Sequence, residues 1–528
     1  MPSDERILGP KRPVVDMDTD RTGLLISLLP KIPLITRVII LHLLRYSEQS
    51  KYWDMRTEVI IAMLRSYMSP PKPLSVTATQ RLLVQDLEVK GRIWISRYTC
   101  PAPEDRGVAD AVKSAIDALR DDDVKVRSEL RLPDVAAVEA EWTGYRADAT
   151  PESRLPDVSE KEKYDMMMKG VTSSATILYL HGGAFWLMDP ATHRTTTKRL
   201  AKVSGGRCYS VRYRLSPQHV FPAALMDALT SYLALLYPPP EAFHDPVPAE
   251  HIVFAGDRYV PTSWGRPSPH QFSDGQGLTC RHSAGGNLAL ALIQTLLQLR
   301  RQNIPIVWQG QSRHVPLPAG VAVSSPWVDI THSSPSCETN VDFDYLPPLQ
   351  TQLDLEPSRP PCVVWPANPP RRMLYADDDM IMHPLVTLLM APSWAGAPPV
   401  WICTGKELLT DEDKFMAHKL WKDGVKVTYE EYEGMPHCFA LLFERLAEAR
   451  RCINGWAGFA KAVVEQQGQV PEGFRMIRAK TSEEEELDPE MVCPYSLEDI
   501  RERLEMGMKA LMGGGGRVTT VVEEMSKL

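Results

Sequence analysis

The run "LYLHGGAFW", Leu178 to Trp186, ends a strand-like pattern in His-Gly-Gly. Two successive residues without side chains let backbone N–H groups face inward and hydrogen-bond an oxygen on which negative charge develops. Gly182 and Gly183 are the candidates, with the N–H of Ala284 as a third donor, and His181 leads into them. Ser283 opens a Ser-Ala-Gly-Gly-Asn run, including Gly285, that enters an apolar helix, the exit expected of a nucleophile turn. His437, in "EGMPHCFALL", follows a Gly-Met-Pro that ends a strand pattern, so its imidazole belongs in a loop. The stretch "CTGKELLTDED" offers two carboxylates, Glu407 and Asp411, either of which could fix the imidazole tautomer and stabilise the imidazolium. Alcohol, imidazole, carboxylate and inward N–H groups are the parts of acyl transfer through a covalent intermediate.

The nucleophile turn is interrupted. Gly256 and Asp257 close "IVFAGD", and without the 25 residues 258–282 the chain would read "IVFAGDSAGGNLALAL". The intervening segment has three prolines, three glycines and no helical or strand period. It reads as a retained intron: Arg258-Tyr259-Val260 can be back-translated to a splice donor after a split serine codon, Leu278-Thr279 to a branch-point-like sequence, and His282-Ser283 to an acceptor that restores that serine. Closing a loop of this length costs only about 3 kcal/mol, so the fold is expected to survive. The turn is expected to lose its geometry, since Arg281 takes the place of a glycine, and an error of about 1 Å at a nucleophile costs on the order of a hundredfold in rate.

These groups need a scaffold. Residues 1–80 read as helical, with Val59, Met63, Leu64 and Tyr67 at helical spacing. From about residue 81 to 465, eight short β-rich runs follow, most of them separated by helical stretches. The first two, "VKGRIWISRYTC" and "AAVEAEWTGYR", suggest an antiparallel opening pair; the later six have the apolar, β-branched character of a buried parallel sheet. The expected fold class is α/β, with helices on both faces, a helical cap, and reactive groups at the carboxyl ends of the strands. The proline-rich stretch from Thr331 to about Pro398 is the place for an excursion over that edge. Residues 466–528, with Glu483 to Glu486 and Gly513 to Gly516 in rows, read as an acidic linker and a peripheral helix.

The stretch from about 85 to 460 resembles the hormone-sensitive-lipase-like branch of the α/β-hydrolases. "HGGAF" is similar to that family's oxyanion signature, "YRLSPQHVFPAAL" (Tyr213 to Leu225) to its Tyr-Arg-Leu-Ala-Pro-Glu-His segment, and "GMPHCF" to its histidine motif. The order Ser283, Glu407, His437 is the nucleophile, acid, base order of that fold. The family's acid opens an Asp-Pro-Leu-x-Asp-Glu pattern, and "ELLTDE" puts Glu407 in that place and Asp411 in the fifth. The resemblance implies a serine carboxylic ester hydrolase, without metal or organic cofactor, acting on a small-molecule ester or lipid. A catalytically silent fold that only binds a small ligand, and an amidase or formamidase on the same triad, are the alternatives.

Bulk properties agree. At 528 residues and 44% apolar content the chain can bury a large core, and a net charge of -8 gives no basic footprint for nucleic acid. Nine scattered cysteines without a Cys-x-x-Cys pair suggest neither a zinc site nor a disulfide framework, hence an intracellular protein. Acidic and basic residues before the first apolar run are not the order of a signal peptide. The run Leu24 to Leu44 is about long enough to span a bilayer, but Lys31, Arg37, Pro30 and Pro33 interrupt it, leaving membrane association and a cap over the site as its two readings.

Overall fold

All eight expected strands form in the computed structural model, which describes residues 29–70, 72–83, 86, 88–120, 132–257, 276–277, 283–466 and 470–513. They are β1 (Ile93–Cys100), β2 (Val138–Tyr145), β3 (Thr176–Leu180), β4 (Arg207–Arg212), β5 (Ile252–Gly256), β6 (Gly320–Ser324), β7 (Val400–Gly405) and β8 (Val427–Tyr432). Two more, β9 (Gly473–Ile477) and β10 (Glu484–Leu487), extend the sheet to the order β10-β9-β8-β7-β6-β5-β3-β4-β2-β1. From β4 to β9 neighbours pair in parallel; β1, β2 and β10 run antiparallel to theirs.

Strands β3, β5, β6, β7 and β8 are buried at every residue, because helices cover both faces. The helices Gly107–Ala118, Ala223–Leu236 and Ala284–Arg301 pack together as one group, and Arg194–Ser204 with Ala447–Glu465 as another. All of Ala223–Leu236, and Ala284 to Leu299 of the next helix, are buried. Each leucine so placed contributes about 1.5–3 kcal/mol, so tertiary packing holds these helices.

The chain passes from β3 outward to β4, then returns to β5 on the other side of β3. That reversal leaves a crevice at the carboxyl ends of β3 and β5, where Leu180 pairs with Gly256. The His-Gly-Gly loop and the serine turn both leave from this point.

One sequence expectation is corrected and two are made more specific. Among the described residues of 466–528, those before the peripheral helix are not a linker: Glu484–Leu487 is the edge strand β10, with Glu484 paired to Arg451 at 2.9 Å and Glu485 to Arg478, and the helix Leu497–Met512 buries Ile500, Leu504 and Leu511. A row of acids reads as solvated sequence, but it also suits an edge strand that must not pair with another chain. The run 24–44, of which 24–28 lie outside the described residues, forms a twelve-residue helix, Ile32–Leu43, about 18 Å long. Pro33 lies in its first turn, where a missing N–H breaks no bond. Among the described residues no helix is long and apolar enough to cross a membrane. Finally, within the segment 258–282, Gln276–Gly277 pairs with Lys72–Pro73 as a two-residue parallel ladder; the rest of that segment lies outside the described residues.

Candidate active site

The loop after β3 follows a left-handed backbone path. Gly183 has φ 112°, and a Cβ there would lie 2.3 Å from the carbonyl oxygen of Leu187, so only glycine fits. Ala184 (φ 54°) and Phe185 (φ 65°) continue the left-handed path, at a cost of roughly 1–2 kcal/mol per residue that their surroundings must offset. Phe185 stacks on Tyr375 of the covering excursion with ring centroids 3.5 Å apart, and Gln80 from the N-terminal helices donates to the carbonyl of Trp186 at 2.9 Å. His181 Nδ1–H donates to the carbonyl of Gly182 at 2.8 Å. Because that carbonyl and the Gly183 N–H belong to one trans peptide, pinning the oxygen turns the N–H the other way. The His181 ring in turn stacks on Tyr213, 4.1 Å between centroids, whose hydroxyl donates to the His181 carbonyl at 2.5 Å.

Ser283 is the N-cap of the helix Ala284–Arg301, so the N–H of Ala284 is one of the helix's unpaired first donors. Glycines let this helix start approach the strand ends: a Cβ on Gly256 would lie 2.1 Å from the carbonyl oxygen of Gly285, and one on Gly285 2.1 Å from that of Leu180 and 2.9 Å from that of Asp257. The two halves of the split motif thus meet in space. The turn itself is not the strained elbow: Ser283 has φ -81° and ψ 76°, and its fully buried Oγ donates to the carbonyl of Ser324 at 3.2 Å.

His437 follows β8 and is fully buried. Its Nδ1–H donates to Glu407 Oε2, and its Nε2 has no hydrogen-bond partner among the described residues. Glu407 Oε1 accepts from Ser325 Oγ, Thr404 Oγ1 (3.1 Å) and the Gly405 N–H (3.3 Å). Burial pushes the Glu407 carboxyl up, but the His437 charge and these hydrogen bonds outweigh it and hold the group below its ordinary value. Asp411, the other carboxylate considered, accepts instead from the Ser336 N–H at 2.9 Å, and burial raises it. Sequence reasoning missed Ser325 and Asp344, which border this pair. Ser325 could have been found from its place just past a strand end at the reactive edge; Asp344 lies in an excursion without periodic signal.

Asp257, between the halves of the motif, is fully buried, with His193 Nε2 3.6 Å from Oδ1. Burial pushes its carboxyl up to about 7, against a contact from the Tyr179 hydroxyl. The folded chain therefore holds this proton more tightly than the unfolded chain, and the contribution to stability is full below about pH 4 and lost as pH rises through about 7. Asp257→Asn is expected to gain stability relative to the native chain over that window and to keep the gain above it. Melting curves on both sides of the window check this, and a pH-independent difference contradicts it.

A family model described as the alpha/beta hydrolase fold matches residues 177–258 and 280–441, and the break between the two parts lies inside the segment that splits the motif. An acetyl-hydrolase of Streptomyces hygroscopicus is 28% identical over 287 residues, 54% of this chain and 75% of that protein. An esterase of Acinetobacter venetianus is 26% identical over 294 residues, 55% of this chain and 77% of that protein. Among solved structures, a hormone-sensitive lipase from a metagenome library is 24% identical, covering 68% of this chain and 90% of that one, with a TM-score of 0.43.

Proposed function

We propose that the chain is a carboxylic ester hydrolase of the hormone-sensitive-lipase-like branch of the α/β-hydrolases and that it cleaves a small-molecule ester through an acyl-enzyme on Ser283. The observation that carries this reading is the fully buried His437, with Nδ1–H on Glu407 and Nε2 left without a partner. Glu407 fixes the tautomer whose Nε2 lone pair can accept a proton. Turned from Ser324 toward Nε2, the Ser283 hydroxyl gives up its proton to His437 as Oγ bonds to the ester carbonyl carbon. The carbonyl oxygen becomes an oxyanion facing the N–H groups of Gly182, Gly183 and Ala284. His437 returns the proton to the leaving alcohol, and a water activated by the same nitrogen releases the acid.

A second reading, that this chain is a weak catalyst or only a binder while the segment 258–282 is present, is favoured by one observation. Ser283 Oγ is spent on the Ser324 carbonyl and its backbone is unstrained. We attribute that to the segment, read as a retained intron. Labelling by a fluorophosphonate tests both readings: Ser283 as the modified residue supports the triad, and a folded protein that does not react supports the binder. Transcripts that keep the segment throughout would remove the intron reading. Activity on matched ester and amide substrates separates an esterase from an amidase on the same triad.

A further inference from the structure

Asp344, in the excursion between β6 and β7, is fully buried, and oxygens of Asp344 and Glu407 and a ring nitrogen of His437 all lie within 4.8 Å of one another. Each oxygen of Asp344 is held. Oδ1 accepts from the N–H groups of Tyr345 (2.7 Å) and Leu346 (3.1 Å), and Oδ2 accepts from the N–H of Leu408 at 3.0 Å. Leu408 is the residue after Glu407, so this bond ties the acid's own loop to the excursion. The backbone of Asp344 is fixed from the N-terminal side: Arg65, on the helix Met55–Met68, donates to its carbonyl oxygen from Nη2 at 2.6 Å and Nε at 3.0 Å, and reaches the carbonyls of Val341 and Asp342 as well.

We propose that Asp344 is a second carboxylate serving His437, a positioning residue that holds the Glu407 loop through Leu408 and adds negative charge beside the imidazolium formed when His437 takes the Ser283 proton. The inference rests on the Ser283, His437 and Glu407 reading. The proton moves from Ser283 Oγ to His437 Nε2; Asp344 takes no proton and forms no covalent bond. Burial raises the Asp344 carboxyl and the Glu407 charge adds to this, leaving the group above its ordinary value although the His437 charge and three N–H donors favour its ionised form. Around this pair of acids, His437 is faced by Glu407, Asp344 and the Tyr345 ring, 6.3 Å between centroids. Asp413 faces Glu407 and is itself pushed well up, first by burial and then by the Glu407 charge. Arg65 stands over the Asp344 backbone, and Lys406 is directed onto the Phe343 ring, 3.8 Å from its centroid.

The test compares the full chain with Asp344→Asn, which keeps an acceptor oxygen and removes the charge, and with the smaller Asp344→Ser as a second variant should the first fail to fold. The readout is hydrolysis of p-nitrophenyl acetate as a function of pH. Loss of a negative charge makes the imidazolium less stable, so His437 stays free as a base to lower pH. The acid limb of kcat/KM is expected to move down by about one pH unit or more, with kcat reduced on the order of tenfold. Asp344→Glu, which restores the charge, is expected to bring the limb back toward its native position. A folded neutral variant with the native limb and native kcat overturns the inference, as does activity lost to a chelator and restored by a divalent cation. His437→Ala separates this failure from failure of the triad: native activity in that variant removes both, whereas an inactive His437→Ala beside an unshifted Asp344→Asn removes the role of Asp344 alone.

Discussion

Replacing His437 by alanine is expected to lower kcat on a p-nitrophenyl ester by roughly 10⁴- to 10⁶-fold, in the chain freed of residues 258–282. In the proposed mechanism the imidazole is the base that takes the serine proton and the acid that returns it. Glu407 already accepts from Nδ1–H and Asp344 from three backbone N–H groups, so neither carboxylate is arranged to move that proton in its place. Circular dichroism checks that the fold persists. Activity within about tenfold of the parent would mean that His437 is not the base.

Glu407→Gln is expected to cost about 10⁴-fold in kcat while leaving the surrounding backbone in place. The carboxylate can only accept, which forces the proton of neutral imidazole onto Nδ1 and the lone pair onto Nε2. An amide can donate to Nδ1, which favours the opposite tautomer and leaves no base toward the serine. Asp411→Asn gives the contrast: its carboxylate accepts from the Ser336 N–H, so activity is expected to stay within about threefold of the parent and any loss to appear as stability. Steady-state kinetics on the two variants check the assignment, and a larger loss in Asp411→Asn than in Glu407→Gln would reverse it.

The parts of the site that follow strand ends were legible because glycine and strand periodicity mark them. His-Gly-Gly after β3, Gly-Met-Pro-His after β8 and the carboxylates after β7 all stand where an alternating sheet places them. Sequence left Glu407 and Asp411 both open on position; Glu407 lies in the loop before the helix Thr410–Lys422 and meets His437, while Asp411 lies in that helix's first turn and meets Ser336. Asp344 had no signal, because its place is set by Arg65 and Leu408, contacts between segments far apart in the chain. The row Glu483 to Glu486 misled for a related reason. Charge alone does not distinguish a solvated tail from an edge strand whose acids meet Arg451, Arg475 and Arg478.

The split motif is where sequence and structure bear most directly on function. Gly256 and Gly285 approach as a continuous strand, turn and helix require, yet Ser283 does not take up the strained turn that would free its Oγ. The halves can pack because glycine faces glycine, while the turn needs Asp257 joined directly to the serine. The first measurement is therefore fluorophosphonate labelling, followed by identification of the modified residue, on two purified proteins: the chain as it stands and the same chain lacking residues 258–282. The account predicts a label on Ser283 in the shortened protein, formed at least about a hundredfold faster than in the full chain. A shortened protein that folds and carries no label on Ser283 would contradict it.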